Sequence, residues 1–235
     1  MRIVIISTVL LFTFVISVFA GPAVEVSPSS FNFGKTIQRS KVSHTFWIKS
    51  TGDENLIITD IEPGCGCTKA PIEDTIVAPG DSTALEIILS TKSYRGYLSK
   101  RPYFKTNVPN DDKHELRIDA ELIPNPEDIG PILSDPPQID VSQFTEKPRR
   151  KAKFKLLNKA DKELKLNLID TAGKKFVVEL PASIPANSTV EGTIIVNEDM
   201  IETEFEQSFT IMVDDDFATR ISIPVQRTFR VLKSN

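Results

Sequence analysis

The chain has few of the residues that bind metals or form covalent cross-links. Among its 235 residues are 2 cysteines, 2 histidines, 3 methionines and 1 tryptophan. Two cysteines cannot build a disulfide-rich scaffold, and so few soft or imidazole ligands exclude most self-contained metal sites with four ligands. Positive charge is not in excess either, because 28 basic residues stand against 32 acidic ones, for a formal net charge of -4. This balance argues against a general nucleic-acid-binding protein.

Long apolar runs are also rare, and the one that occurs is at the N-terminus. Arg2 precedes an uncharged stretch from Ile3 to Phe19, and Ala20 ends it with a small residue of the kind that signal peptidase recognises. We therefore predict a signal peptide over residues 1–20, with an uncleaved N-terminal anchor as the alternative. After cleavage no transmembrane segment is expected, and the protein is expected to be exported, to a periplasm, the extracellular space or the cell surface.

The rest of the chain alternates apolar and polar residues with a period of two. Successive side chains of a strand point to opposite faces, so this pattern indicates antiparallel strands with one buried face. Turn-forming residues separate the runs, and no helical period extends beyond two turns. The predicted fold class is all-β, built as a sandwich of short strands. The predicted strands include Thr45–Lys49, Leu56–Ile61, Ala84–Ser90, Tyr103–Thr106 and Glu115–Leu122.

The strand pattern occurs twice, about one domain length apart. Phe46 and Ile48 correspond to Phe154 and Leu156, and the turns and strands that follow repeat in nearly the same register. We predict two tandem immunoglobulin-like β-sandwich domains, over residues 23–122 and 138–232. The segment 123–137 holds five of the 16 prolines, so it is expected to be a semi-rigid linker.

Each predicted core consists of the inward-facing residues of these strands. Trp47 lies between two of them, so the period places it on the opposite face, where a neighbouring loop or the facing domain is expected to cover it. The predicted core residues are Phe46, Ile48, Leu85, Ile87 and Ile118 in the first domain, and Phe154, Leu156, Leu164, Leu166, Phe209, Ile211 and Ile221 in the second.

Both cysteines lie in one short segment, Gly64-Cys65-Gly66-Cys67-Thr68, which is the candidate binding or redox site. The two glycines are expected to take positive φ and bring the sulfurs together. Four interpretations remain open: an unreactive local disulfide or turn, a soft-metal site holding Cu(I) or a shared zinc ion, a site of thiol–disulfide exchange, and a covalent link to a partner. His44 and His114 are expected to be ordinary solvated or core-edge imidazoles rather than ligands.

Several motifs of the first predicted domain occur together in a fixed order. They are Phe31-Asn32-Phe33-Gly34, Phe46–Gly52, Leu56-Ile57-Ile58, Gly64–Thr68, Ala78–Ser82 and Thr106-Asn107. Over Val24 to Leu122 the chain therefore resembles a bacterial family of exported immunoglobulin-like domains of unknown function, which is marked by a Cys-Gly-Cys-Thr motif and is similar in fold to Hydin-like and major-sperm-protein-like sandwiches. The resemblance implies a periplasmic or outer-surface location but no established activity. The second domain has Asp170–Lys175 where the cysteines would fall.

These observations predict an exported, non-enzymatic interaction or structural module of the cell envelope, with a protein or envelope component as its partner. No phosphate-binding loop, nucleophile elbow or dinucleotide fingerprint occurs in the sequence, and no cofactor is expected. The alternative is a thiol-based redox or copper-handling protein in which Cys65 and Cys67 act. Neither the specific ligand nor the oligomeric state follows from the sequence.

Overall fold

A computed structural model describes residues 21–92, 94–171 and 175–230 of the chain. This described part consists of β-strands, turns and two short 3-10 turns, Pro126–Asp128 and Glu198–Met200, so the all-β prediction is confirmed. Within the same residues, no helix has the length and apolarity needed to cross a bilayer. The predicted signal peptide, residues 1–20, and residues 231–232 of the second predicted domain lie outside the described residues.

The described residues of the first half contain eleven strands. They are β1 (Val24–Glu25), β2 (Ser30–Ile37), β3 (Lys41–Ser50), β4 (Leu56–Glu62), β5 (Thr68–Lys69), β6 (Ile76–Val77), β7 (Ser82–Ser90), β8 (Gly96–Lys100), β9 (Tyr103–Thr106), β10 (Lys113–Glu115) and β11 (Arg117–Ile123).

The second half contains the remaining nine described strands. They are β12 (Ile132–Asp135), β13 (Ile139–Asp140), β14 (Lys151–Asn158), β15 (Leu164–Asp170), β16 (Phe176–Glu179), β17 (Ser183–Ile184), β18 (Thr189–Val196), β19 (Phe205–Val213) and β20 (Arg220–Arg227).

The two halves repeat the same sheet topology. One sheet of the first half has the order β1-β3-β7-β5, and its counterpart in the second half has the order β12-β14-β18-β16. On the facing side, β4 pairs with β6 and β9, just as β15 pairs with β17 and β19. Even the irregularities recur, since β4 and β15 each carry a register shift, before Asp60 and Asp170 respectively. The two halves therefore share one order of strand pairing, while the division into two tandem domains stays a prediction.

Each half encloses its own cluster of buried apolar side chains. The first is centred on Phe33, Phe46 and Phe104, and the second on Phe154, Phe176 and Phe209. Every core residue predicted from the alternation is buried. At about 1.5–3 kcal/mol for each fully buried large apolar side chain, either cluster contributes a large share of the folding free energy of its half.

The halves are also joined through one sheet, whose order is β17-β15-β19-β20-β2-β11-β8 with β13 paired to β20. Strand β2 lies at the junction, parallel to β11 on one side and to β20 on the other, where Lys35 is in register with Ile221. Gly34 makes this approach possible. Its φ is +64°, and a Cβ atom there would lie 2.2 Å from the carbonyl oxygen of Arg220. Any side chain at position 34 would therefore push β2 and β20 apart.

Polar contacts between the halves surround this junction. The backbone N–H of Ser43 donates to the hydroxyl of Ser208 over 3.0 Å, in a buried position. His44 stacks on Phe31, with ring centroids 3.8 Å apart, and its Nδ1 lies 2.8 Å from a carboxylate oxygen of Asp170. The His44 ring thus lies at the edge of the core, as expected. The sequence does not reveal that this side chain links the two halves.

The proline-rich segment 123–137 contains more structure than the expected spacer. It includes the end of β11, the 3-10 turn Pro126–Asp128 and strand β12, which pairs with β14. Ile129 and Ile132 are buried in the second core, and burying such side chains holds the segment against the sandwich. Its cis peptide bond, Asp135-Pro136, occupies the same place between β12 and β13 as the cis bond Ser27-Pro28 occupies between β1 and β2.

Candidate functional site

The predicted site is a short loop at one end of the first sandwich. It connects β4 to β5, and Thr68 and Lys69 pair with Leu89 and Ile88 of β7. The backbone N–H of Ser90 donates to the carbonyl of Cys67 over 2.8 Å, so β7 fixes the C-terminal side of the loop. Loops held in this way by a rigid sheet are common positions for binding sites.

The structure joins Cys65 and Cys67 by a disulfide, with Cα atoms 5.2 Å apart. Both residues are half-buried, and Cys67 packs against the edge of the first core. The hydroxyl of Thr68 lies 3.3 Å from the sulfur of Cys65 and 3.7 Å from that of Cys67. The backbone N–H of Thr68 also donates to the carbonyl of Cys65 over 3.2 Å, which closes the loop as a tight turn. Gly64, Cys65, Gly66, Cys67 and Thr68 therefore form one compact unit, and its role as a binding or redox site stays a prediction.

The two glycines of this loop differ, which corrects the expectation that both take positive φ. Gly64 has φ +81°, and a Cβ atom there would lie 3.4 Å from the carbonyl oxygen of Arg101. Gly66 does not adopt positive φ, and a Cβ atom there would meet nothing within 4 Å. Only Gly64 is thus required by the backbone conformation, because the Cys65-to-Thr68 turn needs no left-handed residue at position 66.

The hydroxyl of Thr68 determines how this loop would behave if its disulfide were reduced. A hydroxyl that can donate to sulfur stabilises a thiolate once a disulfide is reduced, since hydrogen bonds to the charged form lower the pKa of a thiol. Among the described residues, no group of three or more His, Cys, Asp or Glu side chains is arranged to hold a metal ion. The contacts of the two histidines lie elsewhere: His114 bonds to Thr106 over 3.1 Å, and His44 bonds to Asp170.

Sequence reasoning did not anticipate a cleft between the two halves. We call it the Trp47 cleft; it has a volume of about 260 Å³, and its lining includes Trp47, Ile72, Glu86, Lys175, Met200 and Gln207. Trp47 lies on the face opposite Phe46 and Ile48, as predicted, but the expected cover is only partial and 47% of the residue is exposed. The alternation of apolar residues predicts that Trp47 lies on the outer face. No pattern in the sequence predicts that Lys175 or Gln207 lies beside it.

A polar cluster on the outer face of the eight-stranded sheet is the clearest electrostatic feature of the first half. The hydroxyl of Tyr97 donates to Asp119 over 2.7 Å, and the guanidinium of Arg117 lies 2.9 Å from the other carboxylate oxygen. Burial alone would raise the pKa of Asp119, but hydrogen bonds from Tyr97, Ser99 and Arg117 outweigh it and hold this pKa below its ordinary value. Asp119 is therefore ionised in the folded protein down to more acidic pH than a free aspartate.

A protein-family model matches the first half of the chain. Residues 24–122 match a family described as "Protein of unknown function (DUF1573)". This span coincides with the resemblance drawn from the motifs, although the Cys-Gly-Cys-Thr signature and the Hydin-like or major-sperm-protein-like relationship stay predictions. No curated protein matches the chain.

Solved structures similar to the chain include a protein of unknown function from Porphyromonas gingivalis W83, which is 12% identical, with 87% of this chain and 98% of that one covered at a TM-score of 0.36. The periplasmic chaperone SfaE is 15% identical, with coverage of 89% and 100% and a TM-score of 0.32. The secreted serine protease VesC from Vibrio cholerae is 10% identical, with coverage of 76% and 44% and a TM-score of 0.33.

Proposed function

We propose that this protein is an exported, non-enzymatic interaction module of a cell envelope, built from two tandem immunoglobulin-like β-sandwich domains. The repeated sheet order, with one buried core in each half, supports the two-domain interpretation. The apolar N-terminal stretch ending at Ala20 supports export. The partner is a protein or another envelope component that pairs with an exposed strand.

One observation carries the interaction role: terminal strands display large apolar side chains to solvent. Val177 on β16 is 50% exposed and Ile76 on β6 is 61% exposed. In the described part of the chain, β16 pairs only with β18, and β6 pairs only with β4. A strand with one unpaired edge and an outward apolar side chain is a template for an extended segment of a partner, because main-chain hydrogen bonds and a side-chain contact are offered together.

Capture from envelope extracts tests this proposal. Purified protein serves as bait beside a Val177→Lys variant, in which a charge on the edge opposes strand pairing. A Lys153→Met variant, altered on β14, which has a paired strand on each side, serves as the matched control. A partner held by the wild type and the control but lost with Val177→Lys supports the proposal. Equal capture by all three proteins, or none by any, contradicts it.

A second candidate function is thiol–disulfide exchange or copper handling at the Cys65–Cys67 loop. The contact between the Thr68 hydroxyl and the Cys65 sulfur favours it, because that hydroxyl would stabilise a thiolate. Thiol counting and Cu(I) titration under anaerobic conditions, repeated with Cys65→Ser/Cys67→Ser, separate the two candidates. Stoichiometric Cu(I) uptake lost in the variant supports this second function, and an inert disulfide without metal uptake excludes it.

A further inference from the structure

Strand β8 forms one edge of the eight-stranded sheet, and its outer side has no partner strand. It ends the strand order β2-β11-β8, and within the described residues it pairs with β11 alone. Tyr97 and Ser99 of this strand are exposed, and 66% of Tyr97 is accessible to solvent. An exposed edge of this kind is a template on which the extended segment of another chain can add as a further strand.

The hydrogen bonds beside β8 show which of its backbone groups are free. Opposite residues of an antiparallel pair alternate between those that exchange hydrogen bonds and those that do not. In the register of this hairpin, Pro102 is opposite Leu116 and accepts from its backbone N–H over 2.8 Å, whereas the N–H of Arg117 donates to the other side, toward β2. Counting from Pro102 in steps of two, the even-numbered residues of β8 also bond to β11, so Tyr97 and Ser99 do not. The backbone N–H and C=O groups of these two residues therefore point to the open side of the strand.

The chain beside this edge is positively charged, although the protein as a whole has a formal net charge of -4. Residues 92–101 include four basic residues and no acidic one. Arg95, just before the strand, is exposed and forms no ion pair with any described residue. Lys100, at the other end, has its ammonium 4.8 Å from the centre of the Tyr94 ring, a contact that leaves its charge in place. Each end of the edge therefore has a cation without a carboxylate partner among the described residues.

The carboxylates of β10 and β11, the strands beside this edge, do not cancel its charge. Glu115 lies 2.8 Å from Arg101, and Asp119 lies 2.9 Å from Arg117, so each of these two already has a basic partner. Glu121 on β11 has a lysine of β2 in register with it. The positive charge along β8 is therefore available to attract an acidic partner.

Charge also decides which chain can add to this edge. Antiparallel pairing of β8 with the same strand of a second copy would bring together two segments that each hold four basic residues and no acidic one. Like charges across a strand pair are destabilising, whereas opposite charges are favourable. An acidic segment is therefore favoured over a second copy of this chain and over any basic segment.

We propose that β8 binds an extended, acidic segment of a partner protein, which adds to the sheet as a further strand. Its main chain bonds to Tyr97 and Ser99, an apolar side chain lies beside the Tyr97 ring, and carboxylates near its two ends meet Arg95 and Lys100. A segment of about six residues spans the distance between these two cations. The pairing rests on the role in strand addition proposed above, but it uses a different edge from β6 and β16.

Synthetic peptides test the proposal directly on the full protein. The probe is a fluorescently labelled hexapeptide with alternating valine and threonine between two terminal glutamates, and its twin has two lysines in place of the glutamates. Fluorescence anisotropy should show saturable binding of the glutamate peptide, and binding of the lysine peptide should be at least about tenfold weaker. Arg95→Glu should weaken binding of the glutamate peptide about tenfold, because an attraction becomes a repulsion. Lys151→Glu, which makes the same change of charge at an exposed position of β14 in the other half, should leave it unchanged.

A third peptide separates strand addition from attraction between charges alone. It has the two glutamates but carries N-methyl groups on its central amides, so it keeps the charge, loses main-chain donors and should not bind. Val177→Lys, which alters the edge at β16, should bind the glutamate peptide as the wild type does, so this test and capture from envelope extracts can fail independently. Absence of saturable binding by the glutamate peptide overturns the proposal. So does equal binding of the lysine or the N-methylated peptide, or equal affinity in Arg95→Glu and wild type.

Discussion

The two halves share a topology but differ in the hairpin beside the cysteine loop. In the second half, β19 and β20 pair without interruption from Phe205 with Arg227 to Met212 with Arg220. In the first half the equivalent hairpin is divided, into β8 and β9 on one side and β10 and β11 on the other. Pro102 lies at the division, and its ring nitrogen has no hydrogen to donate to a ladder.

The cysteine loop lies against this division. A Cβ atom at Gly64 would approach the carbonyl oxygen of Arg101, and the backbone N–H of Leu116 bonds to Pro102 across the break over 2.8 Å. The half that carries the cysteines is thus also the half whose hairpin is interrupted. The two halves thus keep the same strand order while only the first interrupts this hairpin, at the place where the cysteine loop packs.

Asp60 and Asp170 show the same divergence at a single position. Each follows the register shift of its strand. Asp60 faces Lys105 over 3.6 Å with much of its side chain exposed, whereas Asp170 reaches His44 of the first half over 2.8 Å in a half-buried contact. The first copy leaves this carboxylate at the surface, and the second uses it to attach the two halves to each other.

The largest expected effect comes from removing equivalent core side chains. Phe46→Ala and Phe154→Ala should each lower the free energy of unfolding by about 3–5 kcal/mol, because both rings are almost completely buried in their separate cores. Urea unfolding of each variant, followed by tryptophan fluorescence and circular dichroism, compares the halves. If Trp47 fluorescence reports the same loss for both variants, the halves unfold as one unit, and a loss confined to Phe46→Ala shows that they unfold separately.

Gly34→Ala should have the next largest effect, at about 2–4 kcal/mol, because its Cβ atom would meet the backbone of β20 as well as suffer the strain of positive φ. The matched control is Gly80→Ala, which has φ +85° but nothing within 4 Å of the added atom. It should lose only about 1 kcal/mol. Equal losses in urea unfolding would show that the contact between β2 and β20 adds nothing to stability.

A smaller and pH-dependent effect is expected at Asp119. Because its pKa is lower folded than unfolded, it stabilises the protein above the ordinary aspartate pKa, and this stabilisation is lost as pH falls through the folded value. Asp119→Asn should therefore cost about 1–2 kcal/mol at neutral pH, and its difference from wild type should shrink on acidification. Unfolding measured from pH 7 down to the acid transition checks this; a difference that stays constant with pH would contradict it.

The smallest effect separates the two glycines of the cysteine loop. Gly64→Ala should destabilise the protein by about 1 kcal/mol, since alanine is strained at φ +81°. Gly66→Ala should be neutral or slightly stabilising, because its site is open and its backbone is not left-handed. Thermal unfolding of the two variants measured side by side tests this difference. If Gly66→Ala lowers the melting temperature more than Gly64→Ala does, Gly66 and not Gly64 is the glycine that the loop conformation requires.

The sequence predicted those features that a local residue pattern encodes and missed those that depend on contacts between distant segments. The alternation around Phe46 and Ile48 identified a buried face because strand side chains have a period of two. The contact of Lys35 with Ile221 was missed, since no local pattern encodes which strand a distant edge will meet. Likewise the spacing of Cys65 and Cys67 indicated one candidate site, whereas Lys175 and Gln207 reach Glu86 only through the tertiary fold.

The parallel neighbours of β2 determine how the molecule resists stretching. Strand β2 runs alongside β11 over six residue pairs in the same direction and touches β20 on its other side. A pull along these strands loads the hydrogen bonds between β2 and β11 in shear, so many must break together instead of opening one after another. The β2–β11 ladder of the first half is thus the part that resists such a pull, whereas the contact of β2 with β20 between the halves has the single registered pair of Lys35 with Ile221.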